Sequence, residues 1–146
     1  ILNPAPAVPV GDESIYALCD YVTPNETEAA TLTGLPVGTD EQALAAAEAL
    51  VKRGAKNALI TLGENGALLH GAHGTHELPA FRVPKVVDTT GAGDAFGGGF
   101  AVALAEGRSP IDAVRFGCAT AALSVTKPGT APSMPRRAEI DALLRG

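Results

Sequence analysis

Asp94 is the last residue of a glycine-rich turn, Asp-Thr-Thr-Gly-Ala-Gly-Asp at residues 88–94, and its carboxylate is a candidate proton acceptor. Val83, Val86 and Val87 lead into the turn and small residues follow it, so we predict that the turn opens a helix. Backbone N–H groups and the positive end of a helix dipole would converge there and form an anion site. A site that holds a phosphoryl group and takes a proton from an attacking hydroxyl would use such a carboxylate. The alternative is a structural turn in which Asp94 only stabilises the helix N-terminus.

Asn25 and Glu28 are three residues apart and would share one face of a helix. Hard oxygen ligands of this kind suit Mg²⁺ held mostly through water. The same spacing also predicts a capping box, in which Asn25 caps the helix and Glu28 reaches back to it. From these two residues alone, the capping box is favoured.

Residues 61–66 form the end of the apolar run 58–62 and a two-glycine turn after it, and they include Thr61, Gly63, Glu64 and Gly66. Glycines in such a turn let the backbone approach a ligand closely. The turn lacks the Lys-Ser/Thr pair of a Walker phosphate loop, and that motif occurs nowhere in the chain. A plain entry into a hairpin is the alternative.

Residues 124–133 read Ser-Val-Thr-Lys-Pro-Gly-Thr-Ala-Pro-Ser and expose many hydroxyl and carbonyl oxygens. Oxygen-rich loops of this kind can hold a monovalent cation. The alternative is an ordinary loop rich in proline and glycine.

The histidines and cysteines do not predict a zinc site. His70, His73 and His76 straddle a predicted hairpin tip, and no cysteine or carboxylate completes a ligand set, so we expect exposed turn residues. Cys19 and Cys118 lie far apart without metal spacing, which favours two reduced thiols in a cytoplasmic protein.

The composition is that of a globular domain, with 46% hydrophobic and 18% charged residues in a chain of 146. The net charge is −5 and no basic run exceeds two residues, which argues against nucleic acid or an anionic membrane as partner. No apolar run approaches the roughly 20 residues that span a bilayer.

Strands and helices alternate in the pattern of a parallel α/β sheet that is covered on both faces. We predict strands at 1–2, 21–23 and 58–62, a hairpin of 67–70 with 75–78, and helices at 12–18, 26–33, 39–53, 94–106, 110–126 and 136–144. No domain boundary is visible inside the chain. Because Ile1-Leu2 looks like the end of a strand, we expect the chain to be the C-terminal part of a longer protein.

Taken together and in this order, the motifs resemble the ribokinase-like sugar kinase family over nearly the whole chain. The matching strings are residues 1–7, 23–29 with Leu32-Thr33-Gly34, 61–63 with Gly66, 87–96 and 127–135. Residues 88–94 mark the whole family, while Asn-Pro-Ala-Pro-Ala near the start and Pro-Ser-Met-Pro near the end favour its ribose-phosphorylating members. The resemblance implies a three-layer α/β/α fold with a mostly parallel sheet. Residues 1–146 would be its nucleotide-binding and catalytic half, without the sugar-binding half and its β lid.

The resemblance also implies roles for individual residues. Asp94 would be the general base, with the N–H groups of Gly91, Ala92 and Gly93 as the anion hole. Asn25 and Glu28 would organise Mg²⁺ and its waters near the phosphates of ATP. The nucleotide site would be lined by Asn25, Thr61, Gly63, Glu64, Gly66, Gly93, Cys118 and Ala121. An activating K⁺ would be surrounded by Asp88, Thr90, Ser124, Lys127, Gly129 and Ser133, several of them through backbone oxygens.

The function implied is ATP-dependent phosphorylation of a sugar, D-ribose to D-ribose 5-phosphate, by a protein that is a homodimer when complete. One alternative is another kinase of this family, acting on fructose, ketodeoxygluconate or adenosine. Another is a non-catalytic nucleotide-binding module, because the half that contacts the sugar is absent. One departure from the family is Gly97, where members often carry Asn; with Gly98 and Gly99 it should weaken the helix by roughly 1 kcal/mol per glycine relative to alanine.

Overall fold

The computed structural model describes residues 1–146 of the chain. These residues form two compact units, Ile1–Leu78 (unit 1) and Pro79–Gly146 (unit 2). The sequence shows no boundary at this point because neither a glycine- or serine-rich linker nor a change in composition marks it. None of the helices is both long enough and apolar enough to cross a membrane.

Unit 1 contains two α-helices and two short 3-10 helices, the second of which, Gly63–Asn65, follows the first strand of the sheet. The first 3-10 helix spans Glu13–Leu18, α1 spans Glu26–Thr33 and α2 spans Asp40–Lys52, which confirms the three predicted helices. α1 ends at Gly34 with a φ of +74°, a left-handed conformation that glycine adopts without strain. α2 buries one face of small and apolar side chains, namely Ala43, Ala46, Ala47 and Leu50.

Three strands of unit 1 form an antiparallel sheet in the order β1-β2-β3. β1 spans Asn57–Thr61, β2 spans Ala67–Gly71 and β3 spans Gly74–Leu78. Leu59 lies opposite Leu69 across the first pair. The connections are too short for a parallel crossover, so these strands must alternate in direction. The predicted hairpin is confirmed.

Parallel pairing occurs on the other side of β1. Val22 bridges Leu2 and Ala58 in parallel, and its N–H donates to the Asn57 carbonyl at 3.0 Å. The sheet of this chain is therefore mixed. The parallel character predicted from the sequence is found around residues 2, 22 and 58, and the short hairpins make the remainder antiparallel.

From residue 92 onward, unit 2 consists of helices that are joined by loops. α3 spans Ala92–Ala105, α4 spans Pro110–Ser124 and α5 spans Arg137–Arg145, close to the predicted bounds. A short 3-10 helix, Ala131–Ser133, lies between α4 and α5.

Glycines allow α3 and α4 to pack closely. A Cβ at Gly99 would lie 2.4 Å from Thr120 Oγ1, and one at Gly117 would lie 3.0 Å from the Phe96 carbonyl oxygen. Gly97–Gly98, by contrast, face open space. Of the three glycines predicted to weaken α3, the last therefore has a packing role.

Candidate active site

The turn at residues 88–94 shapes the start of α3. Gly91 is the N-cap residue of α3 and has a left-handed φ of +79°. A Cβ at Gly91 would also lie 3.1 Å from Thr130 Cγ2. The left-handed conformation therefore strongly favours glycine here and the tight space adds to that preference, so the chain turns sharply into α3 while packing on the loop that contains Thr130.

The first turn of α3 keeps several backbone N–H groups free. Those of Gly91, Gly93 and Asp94 donate no hydrogen bond within the chain, and no side chain caps the helix. The Ala92 N–H, predicted as part of the anion hole, instead donates to the Thr89 carbonyl at 3.1 Å. The donors open to an anion in this structure are therefore those on either side of Ala92.

The carboxylate of Asp94 belongs to the same turn. Asp94 is the third residue of α3, is exposed, and makes no hydrogen bond or ion pair within the chain. A free carboxylate beside free N–H donors can take a proton from a hydroxyl while the donors bind an anion.

Asp88 joins this turn to residues 124–133, which we call the oxygen-rich loop. Its Oδ1 accepts from the Thr90 N–H and its Oδ2 from the Gly129 N–H, both at 2.9 Å. These bonds, first of all those to Thr90, hold the pKa of the Asp88 carboxyl below its usual value. The Val87 N–H also donates to the Val125 carbonyl of the loop at 2.7 Å. Turn and loop are thus hydrogen-bonded into one piece.

The oxygen-rich loop and the turn before α3 carry oxygen atoms of the kind that bind a monovalent cation. Among the predicted ligands, the carbonyls of Thr90 in the turn and of Lys127, Gly129 and Ser133 in the loop accept no hydrogen bond within the chain. The buried hydroxyls of Ser124 and Ser133 donate to neighbouring carbonyls, which leaves their own lone pairs available. The ammonium group of Lys127 binds Glu139 at 3.0 Å, so only the carbonyl of Lys127 is available to a cation.

The start of α1 is a complete capping box. Asn25 Oδ1 accepts from the Glu28 N–H at 2.8 Å, and Glu28 Oε2 accepts from the Asn25 N–H at 2.9 Å. The capping alternative is therefore observed. Glu28 Oε1 accepts no hydrogen bond within the chain, so this half-buried carboxylate keeps one oxygen that fits a water-mediated divalent ion.

The turn after β1 lies beside this capping box. Thr61 pairs with Asn25 in a parallel bridge at the carboxyl end of β1. Gly63 and Gly66 follow with φ values of +53° and +104°, and Gly63 and Glu64 are exposed. Unit 1 therefore brings together two motifs that are distant in sequence. They meet at the carboxyl end of a strand, which is where α/β proteins bind ligands.

The family resemblance places Cys118 and Ala121 of α4 in the nucleotide site. Cys118 is only 6% exposed, and burial raises the pKa of its thiol to about 11, so the thiol stays protonated and unreactive. Ala121 is half-buried. Both assignments stay predictions.

The histidines of the β2–β3 hairpin have protein partners. His70 Nδ1 lies 2.8 Å from Thr75 Oγ1, and His76 Nε2 lies 2.7 Å from the His73 carbonyl oxygen. The His73 ring stacks on Tyr21. Nowhere in the chain do three or more His, Cys, Asp or Glu side chains gather so that they could hold a metal ion.

Sequence reasoning missed Thr130 and Glu139 as neighbours of the site. Thr130 packs on Gly91, and Glu139 binds Lys127 of the oxygen-rich loop. Glu139 stands three residues after Arg136, a spacing that could have predicted a capping role. No sequence pattern predicts its second contact, which joins a helix to a preceding loop.

Several known proteins are similar to this chain. The profile of the pfkB family carbohydrate kinases matches residues 1–137. A ribokinase from Haemophilus influenzae is 45% identical over 139 residues, which are 95% of this chain and 45% of that protein. A deoxyribokinase from Salmonella typhi is 45% identical over 135 residues, 92% of this chain and 44% of that protein.

A solved structure shares the fold. The structure of Arabidopsis thaliana ribokinase complexed with ribose and ATP matches with a TM-score of 0.88 at 39% identity, and the match covers 92% of this chain and 44% of that one. This likeness confirms the predicted ribokinase-like fold class. The chain spans about half the length of the relatives it matches.

Proposed function

Because this chain belongs to the pfkB family of carbohydrate kinases, we propose that it is the nucleotide-binding and catalytic-base half of an ATP-dependent sugar kinase. The observation that carries the proposal is the first turn of α3. There the free carboxylate of Asp94 stands on the same turn as the unpaired N–H groups of Gly91 and Gly93.

In the proposed reaction, Asp94 accepts the proton of the sugar hydroxyl as that hydroxyl attacks the γ-phosphoryl group. The N–H groups of Gly91 and Gly93 bind the negative charge that develops on the phosphoryl oxygens. The Ala92 N–H joins them only if its turn bond to Thr89 opens. Bound MgATP supplies the phosphoryl group: the bond from the γ-phosphorus to the β–γ bridging oxygen breaks as the bond to the sugar oxygen forms, and ADP leaves. The Mg²⁺ would supply part of the charge neutralisation.

We propose that other residues, in each unit by itself, bind the nucleotide or its ions. In unit 1, Asn25 and Glu28 organise the waters of Mg²⁺, and the backbone from Thr61 to Gly66 lines the nucleotide. In unit 2, the oxygen-rich loop and Asp88 hold a monovalent cation, which we propose to be K⁺. The cation does not touch the reacting atoms; it acts by setting the shape of the turn that leads to Gly91.

D-ribose is the substrate that we propose, with D-ribose 5-phosphate as product. The similarity to a ribokinase at 45% identity and to a structure that holds ribose supports it. The equal identity of a deoxyribokinase makes deoxyribose the second candidate. Initial rates of the full-length protein with ribose, deoxyribose, fructose, ketodeoxygluconate and adenosine separate these substrates, and a preference for any but ribose contradicts the choice.

A non-catalytic nucleotide-binding module would use the same free N–H groups without turnover. Calorimetric titration of this chain with MgATP in K⁺ and in Na⁺ buffer tests the binding step, and we expect tighter binding in K⁺. Sugar-dependent ATP turnover by the full-length protein tests the chemistry. Binding without any turnover on the sugar panel would favour the non-catalytic function.

A further inference from the structure

The oxygen-rich loop is attached to the start of α3 on one side and to α5 on the other. On the α3 side, the Gly129 N–H donates to Asp88, and Thr130 packs on Gly91. On the α5 side, Lys127 Nζ lies 3.0 Å from Glu139 Oε1. Lys127 stands two residues before Gly129, so the ion pair acts close to the bond that joins the loop to Asp88.

Both oxygens of the Glu139 carboxylate are used. Oε1 binds Lys127, and Oε2 accepts from the Arg136 N–H at 2.6 Å. The second bond closes the first turn of α5, which makes Glu139 part of a rigid helix end rather than a mobile surface carboxylate.

α5 is itself fixed to the other helices of unit 2. Arg137 pairs with Glu106 and with Asp141, and its guanidinium lies 5.3 Å from the ring centre of Phe116. Arg108 lies 4.7 Å from the same ring centre. A continuous set of contacts thus leads from the α3–α4 pair through α5 and Glu139 to the oxygen-rich loop.

We propose that Glu139 is a positioning residue that, through Lys127, holds the oxygen-rich loop where Gly129 meets Asp88 and so prepares the loop for a monovalent cation. The proposal rests on the proposed kinase function. Glu139 touches neither substrate nor cation. The Lys127 and Glu139 side chains are 43% and 42% exposed, and such pairs contribute little to global stability. The pair therefore acts on the loop's position rather than on the fold.

Glu139→Gln is the informative variant. Glutamine keeps an oxygen for the Arg136 N–H but loses the charge that holds Lys127. Asp20→Asn is the matched control, because it also converts a carboxylate to an amide in an exposed pair, with Lys56 of unit 1 at 2.6 Å. Both variants are made in the full-length protein.

The first measurement is amide hydrogen exchange at Gly129, which does not depend on activity. The amide hydrogen of Gly129 exchanges faster when the loop spends a smaller fraction of time bonded to Asp88. We expect its exchange rate to rise about two- to fivefold in Glu139→Gln. Asp20→Asn should leave Gly129 exchange unchanged. Unchanged exchange in Glu139→Gln would overturn the proposal.

The second measurement is the K⁺ concentration for half-maximal activity. A smaller competent fraction of the loop weakens apparent cation affinity by the same factor, so we expect a rise of about two- to fivefold with kcat unchanged at saturating K⁺. Lys127→Met alone should also raise the K⁺ concentration for half-maximal activity, and it should cause no further rise when it is combined with Glu139→Gln.

Faster exchange at Gly129 without any shift in the K⁺ dependence of activity would overturn the functional part of the proposal. A wild-type protein without sugar-dependent turnover contradicts the proposed function instead, and Gly129 exchange then decides the positioning role by itself.

Discussion

Helices α1 and α3 both carry an acidic residue at their third position, but the two helix starts are built in opposite ways. In α1, Asn25 accepts from the Glu28 N–H, and Glu28 folds back to accept from the Asn25 N–H. In α3, Gly91 has no side chain with which to cap the helix, and Asp94 has no partner in the chain.

The difference lies in the N-cap residue. Asn25 is extended and supplies an oxygen that satisfies a helix donor, so the first turn of α1 is largely closed. Gly91 is left-handed and supplies nothing, so the first turn of α3 stays open to an external anion. A tertiary contact supports this turn in place of the missing cap, because Asp88 accepts a hydrogen bond from the Gly129 N–H of the oxygen-rich loop.

The largest effect is expected from Asp94→Asn in the full-length protein. Removal of the proposed base should lower kcat by about 10²–10⁴-fold, because the attacking hydroxyl loses its proton acceptor. The thermal midpoint should change little, since Asp94 is exposed and makes no intrachain bond. Steady-state kinetics with saturating sugar and MgATP measure the loss.

Asp112→Asn is the control for that substitution. Asp112 is also the third residue of its helix, α4. Its Oδ2 accepts from the Ser109 hydroxyl at 2.7 Å, so its carboxylate, like that of Glu28, already has a partner at the helix start. Its activity should equal that of the wild type. If both variants lost activity equally, the contrast between closed and open helix starts would be wrong.

Gly99→Ala should destabilise unit 2, since the new Cβ would lie 2.4 Å from Thr120 Oγ1, which is already bonded to the Phe116 carbonyl. We expect a loss of about 1–3 kcal/mol in the free energy of unfolding. Gly98→Ala, where the new Cβ meets open space, should instead stabilise α3 by up to about 1 kcal/mol. Urea unfolding of the chain distinguishes the two, and a similar loss in both would show that the close contact of α3 with α4 is not the cause.

Asn25→Ala opens the closed helix start. Loss of the oxygen that accepts from the Glu28 N–H should lower the free energy of unfolding by about 0.5–2 kcal/mol. Thr27→Ala in the same turn removes an exposed hydroxyl, and should change stability by less than about 0.5 kcal/mol. An Asn25→Ala variant as stable as Thr27→Ala would mean that the cap does not stabilise α1.

The smallest effect concerns pH. The pKa of the Asp88 carboxyl lies below its ordinary value of 3.8. The hydrogen bonds of its carboxylate to Thr90 and Gly129 therefore contribute fully to the stability of the folded state at any pH above about 3.8. They are lost as pH falls through the lowered pKa, because the protonated carboxyl no longer serves both N–H groups. The Gly129 amide proton shift, followed by NMR, should titrate with a midpoint below 3.8 in the wild type and should show no such step in Asp88→Asn. A midpoint above 3.8 would contradict the bonding.

Local pattern predicted most elements of the fold. The helices at 26–33 and 110–124 and the β2–β3 hairpin follow from caps, periodicity and turn glycines, which act between near neighbours. The mixed sheet was less predictable, since strand direction depends on which distant segment pairs with β1. The division after Leu78 has no local mark at all.

The candidate site divides in the same way. The glycine turn and Asp94 can be predicted from the sequence because all of their residues lie within one short segment, 88–94. The spacing of Asn25 and Glu28 predicts either a Mg²⁺ site or a capping box, and the structure contains the two capping bonds. The engagement of the Ala92 N–H by Thr89 was not predicted, because it depends on the exact dihedral angles of the turn.

The sequence by itself determined which residues can do chemistry: a glycine N-cap that leaves donors free, a carboxylate on the same turn, and a loop rich in oxygen atoms. Only the tertiary structure decided how these are held. The Asp88–Gly129 bond spans 41 positions and the Lys127–Glu139 pair joins a loop to a later helix, so both exist only once the chain has folded. Residue type sets what a group can donate, accept or ionise, whereas the distance between groups far apart in the chain is set by packing.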